Sequence, residues 1–193
     1  MRKIGLFFGS FNPIHTGHLI IANTIVNNSD LDSVSFVVSP QNPFKKKSTL
    51  AHEQDRLKMV ELAIEGLEHH LFASDIEFRM PQPSYTIDTL TYIKERNPQH
   101  SYVLIMGQDN LTHFSKWKNH QEILKQYEIY VYPRPHAKPT AFDNHPSVMF
   151  FDVPLLDISA TFIRQQVKAQ KSIAFLVSKK VEEFIDSKGL YIS

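Results

Sequence analysis

His15 and His18 lie three residues apart in the run Gly9-Ser10-Phe11-Asn12-Pro13-Ile14-His15-Thr16-Gly17-His18. The apolar residues 4–8 before this run predict a buried strand, and the apolar residues 19–26 after it predict a buried helix. Histidines three apart at a helix start lie about one turn apart, on one side of the helix. Gly9 allows a close backbone approach, the helix N-terminus carries partial positive charge, and Gly17 removes side-chain bulk between the imidazoles. A strand, a polar turn and a helix of this kind present N–H groups to phosphate. The bland alternative is a pair of helix-start histidines satisfied by backbone carbonyls. A zinc site would need further ligands at a supporting spacing, and the chain has no cysteine.

A second group of candidates lies far along the chain in Ile158-Ser159-Ala160-Thr161-Phe162-Ile163-Arg164. Ser159 can cap a helix, and a capping serine with the amides behind it also binds anions. Arg164 offers a guanidinium that matches phosphate oxygens bidentately. Asp109 follows the apolar strand 102–107, where a carboxylate is either an ordinary turn residue or an acceptor for ribose hydroxyls. Trp117 is the single tryptophan. It reads as core, or as a face for a flat cationic ring. Lys45, Lys46 and Lys47 follow the stiff Pro40-Gln41-Asn42-Pro43 stretch and read either as a solvated charge run or as charge aimed at an anion.

Positioning these residues requires strands alternating with helices. Strands are predicted at 4–8, 34–38, 71–73, 102–107, 129–132 and 148–151. Helices are predicted at 19–26, from 50 to Gly66 with Leu57, Val60, Ile64 and Leu67 inward, from Ser84 as cap to Asn97, through Ile123 and Leu124, from 158, and over 178–187. The fold class that follows is α/β, a Rossmann-like doubly wound parallel sheet with helices on both faces and right-handed crossovers. It carries a small C-terminal helical extension from about residue 157, within one domain spanning 1–193. In the common strand order the first and fourth strands are neighbours, so the turns at Gly9 and Gly107 face one crevice beyond the carboxyl ends.

At 193 residues, with 42% hydrophobic and 21% charged residues, the chain can bury a sizeable core. A formal charge of +1 gives no reason to expect a nucleic-acid polymer or a membrane surface as partner. No apolar run reaches spanning length, and the N-terminus lacks a signal-peptide pattern, so the cytoplasm is expected.

The His15-Thr16-Gly17-His18 turn and the segment 158–164 resemble the two phosphate motifs of the His-x-Gly-His nucleotidyltransferase superfamily. Pro83-Ser84-Tyr85-Thr86-Ile87-Asp88-Thr89-Leu90, Gly107-Gln108-Asp109-Asn110 with Trp117 downstream, and Lys188-Gly189-Leu190-Tyr191 are similar to the bacterial nicotinate-nucleotide adenylyltransferases, over essentially the whole chain. That resemblance implies adenylyl transfer from ATP to nicotinate mononucleotide, giving deamido-NAD and pyrophosphate in NAD biosynthesis. It implies His15, His18 and Arg164 as the catalytic contacts, with Gly9, Ser10, Phe11, Gly107, Asp109 and Ser159 also at ATP. It places Thr86, Asp109 and Trp117 at the acceptor. It further implies Mg²⁺ held mainly by ATP phosphates, with no protein ligand for the metal. The family's Pro-Pro-His-Lys loop is here Pro43-Phe44-Lys45, which leaves Lys45 or Lys46 for the mononucleotide phosphate. The competing readings are a sister enzyme acting on nicotinamide mononucleotide or phosphopantetheine, and a non-catalytic nucleotide-binding module.

Overall fold

The computed structural model describes residues 1–40, 50–135, 137–154 and 156–192. Its frame is a six-stranded sheet in the order β3-β2-β1-β4-β5-β6, with every neighbouring pair parallel. The strands are β1 (Lys3–Gly9), β2 (Ser33–Val38), β3 (Leu71–Ser74), β4 (Ser101–Gly107), β5 (Glu128–Tyr132) and β6 (Val148–Phe150). The helices are α1 (Thr16–Asn28), α2 (Glu53–Ile64), α3 (Thr86–Arg96), the one-turn α4 (Gln108–Leu111), α5 (His120–Gln126), α6 (Ala160–Lys168) and α7 (Lys179–Lys188).

Alternation along each strand sorts side chains to the two faces. Phe7, Val103, Ile105, Tyr130 and Tyr132 join a core with Ile21, Ile25, Met59, Val60, Ile163, Val181 and Ile185, from α1, α2, α6 and α7. Leu6, Leu104, Met106, Ile129 and Val131 join a second core with Ile87, Leu90, Ile93, Ile123 and Leu124, from α3 and α5. Strands buried on both faces read as continuous apolar runs because neither face is left to water. The doubly wound class predicted from sequence is the one found. β1 and β4 are neighbours, so the order in which strands are laid down reverses between the ends at Gly9 and Gly107. Ligands of such sheets bind at that reversal.

Local expectations fail in two places. Leu67 lies outside α2 and is 43% exposed, because Gly66 at φ +86° turns the chain away before it. Ser84 does not cap α3. Tyr85 holds the N-cap position, and the Ser84 hydroxyl instead donates to the buried Glu77 carboxylate at 3.0 Å. Sequence reading missed the 3-10 turns Ile76–Arg79 and Phe114–Lys116, which are too short for a periodic signal. Among the described residues no helix is long and apolar enough to cross a membrane.

Candidate active site

The residues between β1 and α1 form the floor of the site. His15 is the N-cap of α1, and its backbone N–H donates to His18 Nδ1 at 3.3 Å. The two imidazoles stack with centroids 3.7 Å apart and planes 26° from parallel. Gly17 makes this possible, since a Cβ there would lie 3.1 Å from His15 Nδ1. The edges of Phe7 and Phe11 flank His18, with centroids 5.9 and 5.1 Å away. Burial, with the nearby Arg134 charge, pushes the His15 imidazole down to about 4. At neutral pH His15 is therefore an uncharged hydrogen-bonding ring, not a fixed cation. Gly9 accommodates a group from the chain itself, because the Phe11 ring fills the space a Cβ would need. Phe11 is buried at φ +43°, which turns the backbone sharply ahead of His15.

Arg164 reaches this loop from α6. Its Nη1 donates to the Asn12 carbonyl at 2.8 Å and its Nη2 to Thr161 Oγ1 at 3.2 Å. The segment 158–164 thus meets the loop before His15 across more than half of the sequence. Ser159 Oγ accepts from the Phe162 N–H at 3.1 Å, so it caps α6 as expected. The amides of Thr16 and His18 are already engaged, by the Leu176 and His15 carbonyls. Anion-binding capacity on α1 therefore falls mainly to the imidazoles, while α6 adds first-turn amides without intrahelical acceptors.

Three contributors were given no site role from sequence, although Tyr191 stands in the Lys188-Gly189-Leu190-Tyr191 segment. Arg56 is 1% exposed and donates only to carbonyls: Ala51 at 3.0 Å, Ser10 at 2.6 Å, Ser39 at 2.8 Å and Pro40 at 3.1 Å. It ties the β1–α1 loop to the end of β2 and the start of α2. The available signal was a charge at a position sharing a helical face with Met59 and Val60. Tyr191 donates to Asn12 Oδ1 at 2.9 Å, which also accepts from the Ala51 N–H at 3.0 Å. Burial pushes the Tyr191 phenol up, against the pull of Arg164 and Arg56, so it stays a neutral donor. Arg134 follows the end of β5, lies over the Tyr132 ring at 5.1 Å and pairs with Asp109 at 3.8 Å. A lone cation just past a strand end, in Tyr132-Pro133-Arg134-Pro135, was its signal. His15, Gly17, Tyr132, Arg134, Pro154 and Ile158 line one common pocket.

On the far side of Gly107, Thr86 opens α3, and Trp117 follows the turn Phe114–Lys116 with its ring 5.4 Å from that of Phe114. Lys118 joins these two segments. Its Nζ bonds both Asp88 carboxylate oxygens, at 3.0 and 2.8 Å, and lies 4.8 Å over the Tyr85 ring. Lys45 and Lys46 lie outside the described residues. Among the described residues no three His, Asp or Glu side chains group as metal ligands.

Parallel strands, paired imidazoles beyond the end of β1 and an arginine brought in from a distant helix make up the candidate site. The cytidylyltransferase-like family model matches residues 6–166. The chain is 59% identical over 189 residues to the "Probable nicotinate-nucleotide adenylyltransferase" of Cytophaga hutchinsonii, covering 98% of each chain. It is 50% identical over 191 residues to the protein of the same name from Flavobacterium johnsoniae, again covering 98% of each. Its fold is similar to that of the solved Plasmodium falciparum nicotinic acid mononucleotide adenylyltransferase complexed with NaAD. That match has a TM-score of 0.84 and 20% identity, over 100% of this chain and 98% of the other. The chain belongs to the cytidylyltransferase-like family and, within it, to the nicotinate-nucleotide adenylyltransferases.

Proposed function

We propose that this chain transfers the adenylyl group of ATP to nicotinate mononucleotide. An oxygen of the mononucleotide phosphate bonds to the α-phosphorus, the bond from that phosphorus to the β-phosphate bridging oxygen breaks, and pyrophosphate leaves with the electron pair. The nucleophile is already an anion, so no general base is needed. The barrier lies in anion repulsion and in charge building on the leaving group, which positioned donors and cations lower. The observation that carries this reading is the Arg164 hydrogen bond to the Asn12 carbonyl, which sets the guanidinium beside the imidazole turn.

In this reading His15, His18 and Arg164 contact the phosphates as the catalytic groups. The neutral His15 ring donates a hydrogen bond without adding charge. Ser159 and the first amides of α6 meet the β and γ groups, and Gly9, Ser10 and Phe11 shape the loop beneath them. Gly107 and Asp109 hold nucleotide sugar, with Arg134 beside Asp109. Thr86 and Trp117 face the pyridine ring, and Lys45 or Lys46 takes the mononucleotide phosphate. Mg²⁺ belongs to the proposal as a group bound by ATP oxygens, consistent with a protein donor set made of imidazoles and guanidinium groups. It supplies charge neutralisation when bound. The chain works in the cytoplasm, and residues 1–193 act as one catalytic domain.

The test is pyrophosphate release from ATP and Mg²⁺ with each acceptor in turn: nicotinate mononucleotide, nicotinamide mononucleotide and phosphopantetheine. The acid mononucleotide should be used far better than the other two. Equal use of acid and amide would reassign the acceptor, and ATP binding without pyrophosphate release would leave only a nucleotide-binding module.

A further inference from the structure

The stretch from Pro83 to Leu90 gives Thr86 a role but leaves Ser84, Asp88 and Thr89 without one. All three are engaged. Glu77, in the turn Ile76–Arg79, is 2% exposed, and each of its carboxylate oxygens takes one hydroxyl. Thr89 Oγ1 donates to Oε1 at 2.7 Å and Ser84 Oγ to Oε2 at 3.0 Å. Thr89 is fully buried, and its hydroxyl also lies 3.4 Å from the Tyr85 carbonyl. Among the described residues no lysine or arginine pairs with Glu77. A buried carboxylate is costly to desolvate, and an apolar pair of similar volume would serve stability as well or better. What the carboxylate adds is direction, because it fixes two hydroxyls that bracket Tyr85 and Thr86 in sequence.

A second clamp grips the same helix start from outside. Lys118 bonds both Asp88 oxygens and covers the Tyr85 ring. Its neighbour is Trp117. The start of α3 is thus held by a buried carboxylate through Ser84 and Thr89 and by an ammonium through Asp88 and the Tyr85 ring, and the residue before that lysine carries the indole.

We propose that Glu77 is a positioning residue for the acceptor: by holding Ser84 and Thr89 it sets where Thr86 stands relative to Trp117, and so tunes affinity for the acceptor's ring without touching it. This rests on the reading of Thr86 and Trp117 as contacts to the acceptor. The phosphate end, built on His15, His18 and Arg164, is independent of the clamp.

The experiment compares the wild-type chain with Ser84→Ala/Thr89→Val and with Glu77→Gln, measuring KM for ATP, KM for nicotinate mononucleotide, kcat and the unfolding midpoint. The double variant should raise the mononucleotide KM about tenfold, the scale of one well-placed hydrogen bond, with the ATP KM unchanged. Glu77→Gln keeps the shape, and its amide still bonds both hydroxyls, so it should retain most of the wild-type acceptor affinity. Should the double variant fail to fold, Thr89→Val alone gives the same split at smaller size. Parallel rises in both KM values, or a lowered midpoint with the acceptor KM unmoved, would make the clamp merely structural and overturn the proposal. If the wild-type chain released no pyrophosphate with nicotinate mononucleotide, the functional reading would fall and take this one with it. Wild-type activity with an indifferent double variant would sink the clamp alone.

Discussion

The two ends of the sheet handle positive charge in opposite ways. At the amino-terminal edge Lys3 Nζ lies 2.7 Å from Asp30, 2.7 Å from Glu128 and 3.1 Å from the Tyr130 hydroxyl, which itself donates to Asp30. Burial would pull the Lys3 ammonium down, but the hydrogen bonds it donates to Asp30, Glu128 and Tyr130 hold it above its ordinary range. Its charge is cancelled where it stands. At the carboxyl edge Arg56 and Arg164 are held by carbonyl and hydroxyl oxygens, and Arg134 donates to the Tyr132 hydroxyl at 3.5 Å with a loose 3.8 Å contact to Asp109. Neutral acceptors fix a guanidinium in place without neutralising it. The difference teaches that geometry and charge can be supplied separately. One end uses an ion cluster to fasten strands, and the other leaves most of its guanidinium charge uncancelled.

Breaking the carbonyl clamp should have the largest effect. Arg56→Met leaves buried carbonyls unpaired and should cost about 3 to 5 kcal/mol in urea unfolding. A loss below about 1 kcal/mol would mean that those carbonyls reach water and that Arg56 does not organise this end.

The neutral His15 gives a pH signature next in size. Unfolded, its imidazole takes a proton near the ordinary value of about 6.5, whereas folded it does so only near 4. Between those values the unfolded chain binds more protons, so stability is full above about pH 6.5 and falls as the solution is acidified toward 4. The loss should approach about 3 kcal/mol, and a His15→Asn variant should lack that part of the slope. Identical slopes in the two proteins would place the pH dependence elsewhere.

At the uncancelled end, Arg164→Ala should lower turnover about a hundredfold, and His18→Ala by at least about tenfold, as loss of transition-state contacts does. Single-turnover rates near wild type would remove the residue concerned from the mechanism. The smallest effect belongs to the cancelled end. Lys3→Met should cost about 1 kcal/mol or less, because its carboxylate partners are half exposed and can return to water, with turnover unchanged. A fall in turnover would show that the two ends are electrically coupled.

Much of the fold was legible because apolar runs of strand length alternate with helical periodicity, and a chain that buries strands on both faces has few other solutions. The cap at Ser159, the stop at Gly189 (φ +60°) and the adjacency of β1 and β4 all follow from such local or topological rules. The candidate site was legible where a residue type is unusual for its position, as with paired imidazoles at a helix start, and less so at Asp109, which also reads as an ordinary turn residue. Ser84 misled because a hydroxyl before a helix has two uses, and only the folded chain shows that a buried carboxylate claims it.

By itself, then, the sequence determined the layered α/β plan, the paired-imidazole turn and the family, since each is written in neighbouring residues and their period. Tertiary structure alone decided that Arg164 closes on Asn12, that Arg56 gathers carbonyls from separate segments, and that Glu77 and Lys118 hold the start of α3 through Thr89 and Asp88. These contacts join residues from 5 to 152 positions apart, some of them hidden inside an ordinary helical pattern. Their partners are mostly backbone carbonyls and hydroxyls, and no spacing rule selects one such group from the many in a chain. Only packing brings the right ones within hydrogen-bond reach.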